Sequence, residues 1–160
     1  MVAHARADHP DEACGIIAGP ADTGEPRRHI PMTNAERSTT FYRFDSREQL
    51  AVWNEMDDAD EAPIVIYHSH TATEAYPSRT DIGYAGEPDA HYVLVSTRDP
   101  EVAEVRSFRI VDGTVTEESI EAIGTDPRVV TGAAGHRGDP LAVQSYKFGH
   151  TPDSLIYDCP

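Results

Sequence analysis

Short apolar runs separated by polar, turn-rich stretches recur along the chain and predict strands. The clearest run, residues 63–67 (PIVIY), is rich in β-branched side chains and is typical of a buried strand. A hairpin turn is predicted at Asp112-Gly113, between two predicted strands at residues 102–111 and 114–118. The further strands are predicted at residues 13–19, 29–34, 40–44, 91–97, 102–111 and 114–118.

Three segments have the patterns of helices. An alanine-rich start predicts a short helix before Pro10. Asp45-Ser46-Arg47-Glu48 resembles a capping box, and Leu50, Trp53 and Met56 follow at helical spacing, which predicts a helix packed on the core. Trp53 as a ligand platform is the alternative interpretation. A third helix is predicted at residues 78–85, so the order of elements indicates an α/β fold with a central mixed sheet flanked by helices.

The periodic pattern ends near Gly124. Beyond it the chain has no hydrophobic period and is rich in Gly, Pro and Asp. With 160 residues, the chain is long enough for one domain with its own core. We therefore predict a single domain at residues 1–123 and a tail at residues 124–160, which is a disordered appendage, an autoinhibitory segment or a docking element.

The net charge of the chain disfavours some classes of binding partner. Lys and Arg together number 13 against 28 for Asp and Glu, a net charge of -15, so the field of the protein repels nucleic acids and anionic membrane surfaces. The pattern predicts neither a membrane span nor a signal peptide. The two cysteines, Cys14 and Cys159, lie far apart in the sequence, which favours a reducing cytoplasm over a disulfide framework.

The richest window of potential metal ligands follows the best strand. His68 and His70 are two residues apart, so an extended backbone points both imidazoles to one face. The loop 71–77 can then return the chain so that Asp81, in the first turn of the next helix, adds an oxygen ligand. Two histidines and one carboxylate suit a catalytic zinc ion that keeps a water in its fourth position. A simple packing role for the histidines, and a capping role for Ser78 and Asp81, stay open at this point.

A zinc site of this kind also requires a base that exchanges protons with the water. The chain offers many carboxylates, and spacing alone does not select one of them. Cys14, two residues after Glu12, could bring a thiolate near the metal, but a small buried apolar role is favoured for it.

His68-x-His70, seven residues, Ser78, two residues and Asp81, with an upstream Glu12, resemble the motif of the JAMM (MPN+) metalloproteases. The spacing matches throughout, and the resemblance covers roughly residues 1–122. Within that family the chain is similar to the small bacterial Mec-type peptidases. The segments that carry this similarity are HPDEACGIIAG, TFYRF, YHSHTATEAYPSRTD and HYVLVSTRD.

The resemblance implies a cytidine-deaminase-like JAMM/MPN fold and a role for each site residue. His68, His70 and Asp81 would bind one catalytic Zn²⁺ with its water, Glu12 would be the general base, and Ser78 would donate a hydrogen bond to the oxyanion. The implied substrate is a ubiquitin-like sulfur-carrier protein with a C-terminal Gly-Gly. Hydrolysis of the amide after the terminal glycine would release cysteine, a step of cysteine biosynthesis.

Other readings of the same motif stay open. The chain could deconjugate adducts of ubiquitin-like proteins, or be a non-catalytic MPN scaffold, although such scaffolds characteristically lack the metal ligands that are present here. RadC-like proteins have the same ligand spacing, but typically His-Asn-His followed by Pro-Ser-Gly, whereas this loop begins Thr71-Ala72-Thr73. A zinc deaminase would need His-x-Glu and Pro-Cys-x-x-Cys, and neither occurs in the sequence.

Overall fold

The computed structural model describes residues 1–123, 128–132, 136–137 and 145–148. The helices in this part of the chain are α1 (Val2–Asp8), α2 (Ser46–Asp58) and α3 (Arg79–Tyr84). Its strands are β1 (Cys14–Pro20), β2 (Arg28–Met32), β3 (Glu61–His70), β4 (His91–Ser96), β5 (Ala103–Val111), β6 (Thr114–Glu118), β7 (Ile120–Ile123), β8 (Val129–Thr131), β9 (His136–Arg137) and β10 (Ser145–Phe148). Of these helices, none has the length and apolar character needed to cross a bilayer.

A mixed sheet forms the centre of the molecule. Within the described residues its strand order is β2-β1-β3-β4-β5-β8-β9, with β6 paired to β5, while β7 and β10 form a separate two-stranded sheet. The pairs β3–β4 and β5–β8 are parallel and the other neighbours in the large sheet are antiparallel. The predicted α/β class with a mixed sheet is confirmed.

Helices cover both faces of the sheet, and the alternation of β3 shows which residues face which helix. Ile66 belongs to the apolar cluster that includes Val52 and Met56 of α2. Val65 and Tyr67 belong to the opposite cluster, which includes residues of α1. Because alternate residues of a strand share a face, the two histidines that end β3 project to the side that α2 covers.

Polar side chains at the helix starts and glycine in a turn set the limits of several elements. The carboxylate of Asp45 accepts hydrogen bonds from the backbone N–H groups of Arg47 and Glu48, which caps α2 as predicted. The β5–β6 hairpin turns at Asp112 and Gly113, whose φ angles of 50° and 75° are those of the turns that match strand twist. The predicted hairpin is therefore confirmed.

The prediction of a strand at residues 40–44 is wrong. This segment is a loop that makes a single β-bridge, between Phe44 and Asn34. Its alternating aromatic residues reflect packing on separate partners rather than a ladder of strand hydrogen bonds. The ring pairs are Phe41 with Tyr84, Tyr42 with His68, and Phe44 with Trp53.

The prediction that Leu50, Trp53 and Met56 pack α2 on the core is also partly wrong. Val52 and Met56 are buried, whereas Leu50 is 64% exposed. Leu50 and Met56 are six residues apart in the sequence. At about 100° per residue, their side chains point about 120° apart around the helix axis, so the two cannot share one narrow stripe. Trp53 packs against the core cluster beside Phe44.

Parts of the segment predicted as a tail add to the sheets. Strand β8 pairs in parallel with β5, and Ala103 lies opposite Val129. Strand β10 pairs with β7. The remaining residues of the range 124–160 lie outside the described part of the chain, and for them the tail stays a prediction.

Candidate metal centre and active site

Two histidines and an aspartate converge where β3 ends. His68 and His70 are alternate residues at the end of the strand, and both are buried. Asp81 lies in the first turn of α3, after the loop 71–77 has turned the chain back. The structure thus brings together the three ligands predicted from the sequence, with ligand atoms that all lie within 4.8 Å of one another.

The spacing of these atoms fits a small metal ion. His68 Nε2 lies 3.2 Å from His70 Nε2 and 3.4 Å from Asp81 Oδ1, and His70 Nε2 lies 3.3 Å from Asp81 Oδ2. Atoms bound tetrahedrally at about 2.0–2.1 Å from a common centre lie about 3.3 Å apart. Two imidazole nitrogens and a carboxylate in this arrangement can hold a metal ion.

The loop after β3 orients the ring of His70. Its Nδ1 lies 2.9 Å from the carbonyl oxygen of Glu74 and 3.0 Å from Thr73 Oγ1. Since a carbonyl only accepts, Nδ1 carries a proton, and the neutral form of the ring therefore has its lone pair on Nε2, towards the site. Burial lowers the pKa of His70, but the hydrogen bonds to Asp81 and Glu74 outweigh it and raise the pKa overall.

The ring of His68 is held by an aromatic neighbour. Tyr42 stacks on it at 4.4 Å between ring centroids and an interplanar angle of 23°. Burial lowers the pKa of His68, against the opposing effect of the hydrogen bond to Asp81. A neutral imidazole is the form that binds a metal ion.

Asp81 and Ser78 form the reciprocal cap of α3. The backbone N–H of Ser78 donates to Asp81 Oδ2 at 2.6 Å, and the backbone N–H of Asp81 donates to Ser78 Oγ at 3.2 Å. Burial raises the pKa of Asp81, yet the hydrogen bonds from His68, His70 and Ser78 bring it well below its ordinary value. Asp81 therefore stays a carboxylate, and Ser78 Oγ, an acceptor within the cap, keeps its O–H for donation to another group.

Glu12 reaches the site through strand pairing. Cys14 pairs with His68, and the backbone N–H of Ser69 donates to the carbonyl oxygen of Ala13 at 2.9 Å, so the same register places Glu12 opposite His70. The residue is only 4% exposed. The fifth residue predicted for the site thus lies close enough to His70 and Asp81 for their charges to act on its carboxyl group, although it is far from them in sequence.

The surroundings of Glu12 change its acidity. Burial raises the pKa of its carboxyl group to about 7, with His70 acting to lower it and Asp81 acting to raise it. A carboxyl group with a pKa near neutrality can both take up and give back a proton at physiological pH.

Cys14 has a structural role. It is fully buried, and its thiol donates to the carbonyl oxygen of Met32 at 3.6 Å. Burial raises the pKa of the thiol to about 12. The prediction of a small buried residue, rather than a thiolate beside the metal, is confirmed.

The loop 34–44 contains site residues that the sequence patterns did not reveal. Tyr42 stacks on His68, and Asn34 donates a hydrogen bond to the carbonyl oxygen of Glu12 at 2.9 Å. Neither residue has a diagnostic spacing in the sequence. Asn34 lies just after β2 in the sequence. Its contact with Glu12 can be inferred only once the pairing of β2 with β1 is known.

An apolar cavity adjoins the ligand cluster. It has a volume of about 190 Å³ and shares Asp81 and Tyr42 with the site. Other aromatic residues that line it are Phe41, Phe44, Trp53, Tyr84 and Tyr92. A substrate segment at the metal centre would therefore have an aromatic surface beside it.

The fold and the site define a domain of the JAB class. Residues 1–111 match the family Prok-JAB, described as prokaryotic homologs of the JAB domain. The match covers more than half of the chain, and the chain belongs to this family.

The chain is similar to proteins that are named as enzymes. The chain is 73% identical over 123 residues to the CysO-cysteine peptidases of Mycobacterium tuberculosis and Mycobacterium bovis, covering 77% of this chain and 84% of each relative. It is 30% identical over 101 residues to the desampylase of Haloferax volcanii, covering 60% of this chain and 73% of the relative. Such similarity to a named peptidase supports hydrolase activity for this chain.

Solved structures share the fold. A solution structure of a protein from Desulfitobacterium hafniense aligns with a TM-score of 0.63 and 31% identity, covering 82% of this chain and 86% of the other. A solution structure of a protein from Salinibacter ruber aligns with a TM-score of 0.51 and 27% identity, covering 86% of this chain and 92% of the other.

Proposed function

We propose that the chain is a zinc-dependent peptidase that hydrolyses the amide after the C-terminal glycine of a ubiquitin-like sulfur-carrier protein and releases cysteine. The observation that carries the chemistry is the cluster of His68, His70 and Asp81, with ligand atoms 3.2–3.4 Å apart and Glu12 beside it. The substrate is supported by the resemblance to Mec-type peptidases and by 73% identity to proteins named CysO-cysteine peptidase.

His68, His70 and Asp81 would hold the ion. Zinc in such a site supplies a Lewis acid for the scissile carbonyl group and lowers the pKa of a water molecule from about 15.7 towards about 7. Nitrogen and oxygen ligands in a tetrahedral arrangement favour zinc over Mg²⁺ or Ca²⁺, which prefer six or more oxygen ligands. The neutral imidazole of His68 and the ionised carboxylate of Asp81 are the forms that ligation requires.

Glu12 would move the proton. Its carboxylate takes a proton from the attacking water and then gives a proton to the leaving amine, so that the amine departs as a neutral group. Its buried position serves both steps, because a carboxyl group with a pKa of about 7 changes protonation state at little cost near neutral pH.

Ser78 would stabilise the negative charge that develops on the carbonyl oxygen. Its hydroxyl oxygen accepts the backbone N–H of Asp81, which fixes the side chain and leaves the O–H to donate to the substrate. A glycine at the acyl side of the scissile bond allows a close approach, and an extended carrier tail can bind through main-chain hydrogen bonds.

The direct test is to incubate the protein with a carrier that ends in Gly-Gly-Cys and to weigh the products by mass spectrometry. We expect loss of the terminal cysteine residue, inhibition by a metal chelator, and recovery on adding Zn²⁺. A carrier ending in Gly-Gly alone is the matched control. A Gly-Gly-Cys carrier that stays intact with Zn²⁺ supplied would overturn the proposal.

A second candidate function is the removal of ubiquitin-like proteins from lysine side chains, which is favoured by the 30% identity to a desampylase. The same assay decides between the two. A carrier joined through its terminal glycine to a lysine side chain replaces the cysteine adduct, and faster cleavage of this isopeptide would favour the second function.

The two roles of Ser78 can be separated by comparing two helix caps, with kcat normalised to the zinc-loaded fraction of each protein because the Ser78 cap also holds Asp81. For Ser78→Ala we expect kcat to fall by about 10²–10³-fold through loss of an oxyanion donor. The free energy of unfolding should also fall by about 1 kcal/mol through loss of the cap. Asp45→Ala removes the cap of α2 and should reduce stability alone. Equal kcat values for the two variants would limit Ser78 to capping.

A further inference from the structure

Asn34 lies opposite the glutamate of the site. The β1–β2 pairing ends with Cys14 beside Met32, and two residues further along the same register Glu12 faces Asn34. On its other side the β1–β3 register, continued two residues beyond the Cys14–His68 pair, places Glu12 opposite His70. The backbone at Glu12 therefore passes between the loop that begins at Asn34 and the end of strand β3.

The side chain of Asn34 makes hydrogen bonds with four backbone groups. Its Nδ2 donates to the carbonyl oxygens of Glu12 at 2.9 Å and Phe41 at 3.1 Å. Its Oδ1 accepts from the backbone N–H groups of Glu36 at 3.0 Å and Arg43 at 3.3 Å. The residue is 7% exposed, so these bonds are shielded from competing water.

The loop 34–44 also holds the other backbone group of Glu12. The N–H of Glu12 donates to the carbonyl oxygen of Ser38 at 2.8 Å. Thus both peptide groups that flank the Cα atom of Glu12 are bonded to one loop, and Asn34 ties the two ends of that loop together. With the backbone held at both peptide groups, the Cα–Cβ bond of Glu12 has a fixed origin and direction.

We propose that Asn34 is a positioning residue for the peptidase reaction, acting through Glu12. This inference rests on the proposed function, in which Glu12 is the base. A base must lie within hydrogen-bond reach of the proton that it takes, and a displacement of about 1 Å can reduce the rate by about 10²-fold. Asn34 supplies the buried N–H donor that holds the peptide group of Glu12 in place.

Two of the three metal ligands are held by contacts outside the loop 34–44. His70 is oriented by the carbonyl oxygen of Glu74, and Asp81 by the cap with Ser78. Loss of the Asn34 donor should therefore impair the proton transfer while these two ligands keep their places, and the zinc content reports any disturbance of His68 through its stacking on Tyr42. This separates Asn34 from a residue that merely supports the fold, whose loss would reduce stability and metal content together.

The sharpest variant is Asn34→Asp, which keeps the shape and the Oδ1 acceptor but replaces the donating amide by a carboxyl oxygen. Asn34→Ser removes the reach to both carbonyl oxygens without adding charge. Asn54→Asp, on the exposed face of α2, is the matched control with the same change of charge. For each protein, kcat, KM, zinc content and melting temperature are measured, with kcat normalised to the folded, zinc-loaded fraction.

For both Asn34 variants we expect kcat to fall roughly 10- to 100-fold with KM and zinc content close to those of the wild type. In a Glu12→Gln background, Asn34→Asp should change kcat by less than about twofold, because its effect passes through Glu12. An undiminished effect in that background, or Asn34 variants equal in kcat to Asn54→Asp, overturns the inference. Failure of the proposed function gives a different result. In that case the wild-type protein itself leaves the Gly-Gly-Cys carrier intact, whereas failure of the Asn34 inference leaves the wild-type protein active.

Discussion

Replacing His68 or His70 by alanine is expected to abolish zinc binding and peptide cleavage together. Each imidazole supplies one of three ligand atoms at 3.2–3.4 Å from its neighbours, and two remaining ligands cannot hold the ion against water. Even changes of residues that only support ligands reduce metal affinity by about 10–100-fold, so loss of a ligand should cost more. Zinc content after dialysis and kcat on the Gly-Gly-Cys carrier check this.

His91→Ala is the matched control for the ligand variants. His91 is half-buried in the same sheet and bonds to Glu118 at 2.7 Å, near the end of β4 away from the metal centre. The control should lose some stability and keep its zinc and its kcat. Normal zinc content in the His68 or His70 variants would show that the cluster is not the metal site.

Glu12→Gln is expected to lower kcat by about 10²–10⁴-fold while the protein keeps its zinc. Glutamine preserves the shape of the side chain but cannot take a proton, and this range is the usual contribution of a positioned acid or base. The buried amide avoids the cost of an ionised carboxylate at this position, so the free energy of unfolding should not fall. Kinetics and metal analysis of the same preparation separate the two effects.

Asp11→Asn is the control for that substitution. It makes the same change of charge at the neighbouring residue, whose carboxyl group is not opposite His70 in the strand register. Its kcat should stay close to that of the wild type. If both variants lost activity equally, the effect would come from the local negative charge, and Glu12 would not be the base.

Local sequence patterns predicted much of the fold. The β-branched run before His68, the cap at Asp45 and the turn at Asp112-Gly113 each contain their own structural signal within a few residues. The wrong predictions concern segments whose conformation is set by packing against residues that are distant in the sequence. Residues 40–44 have the alternation of a strand, but their aromatic rings pack on α2, α3 and His68 instead.

The three candidate metal ligands could be predicted as a cluster because they are close in sequence and lie on elements of known geometry. A strand ending in His68-x-His70 and a helix starting at Ser78 largely fix where the side chains point. Glu12 was selected only through a family resemblance, because its proximity to the metal centre depends on the pairing of β1 with β3. Asn34 depends in addition on the pairing of β1 with β2, so no local pattern identifies it.

The carboxylate of Asp81 faces the two histidines and also closes the first turn of α3. A helix of six residues is too short to be stable by itself, so its first turn depends on this cap. Ion binding at this cluster would therefore be thermodynamically linked to helix formation, since both depend on the side chain of Asp81. Any change that frays α3 would weaken the affinity for the ion, and a bound ion would in turn stabilise the helix by the same free energy.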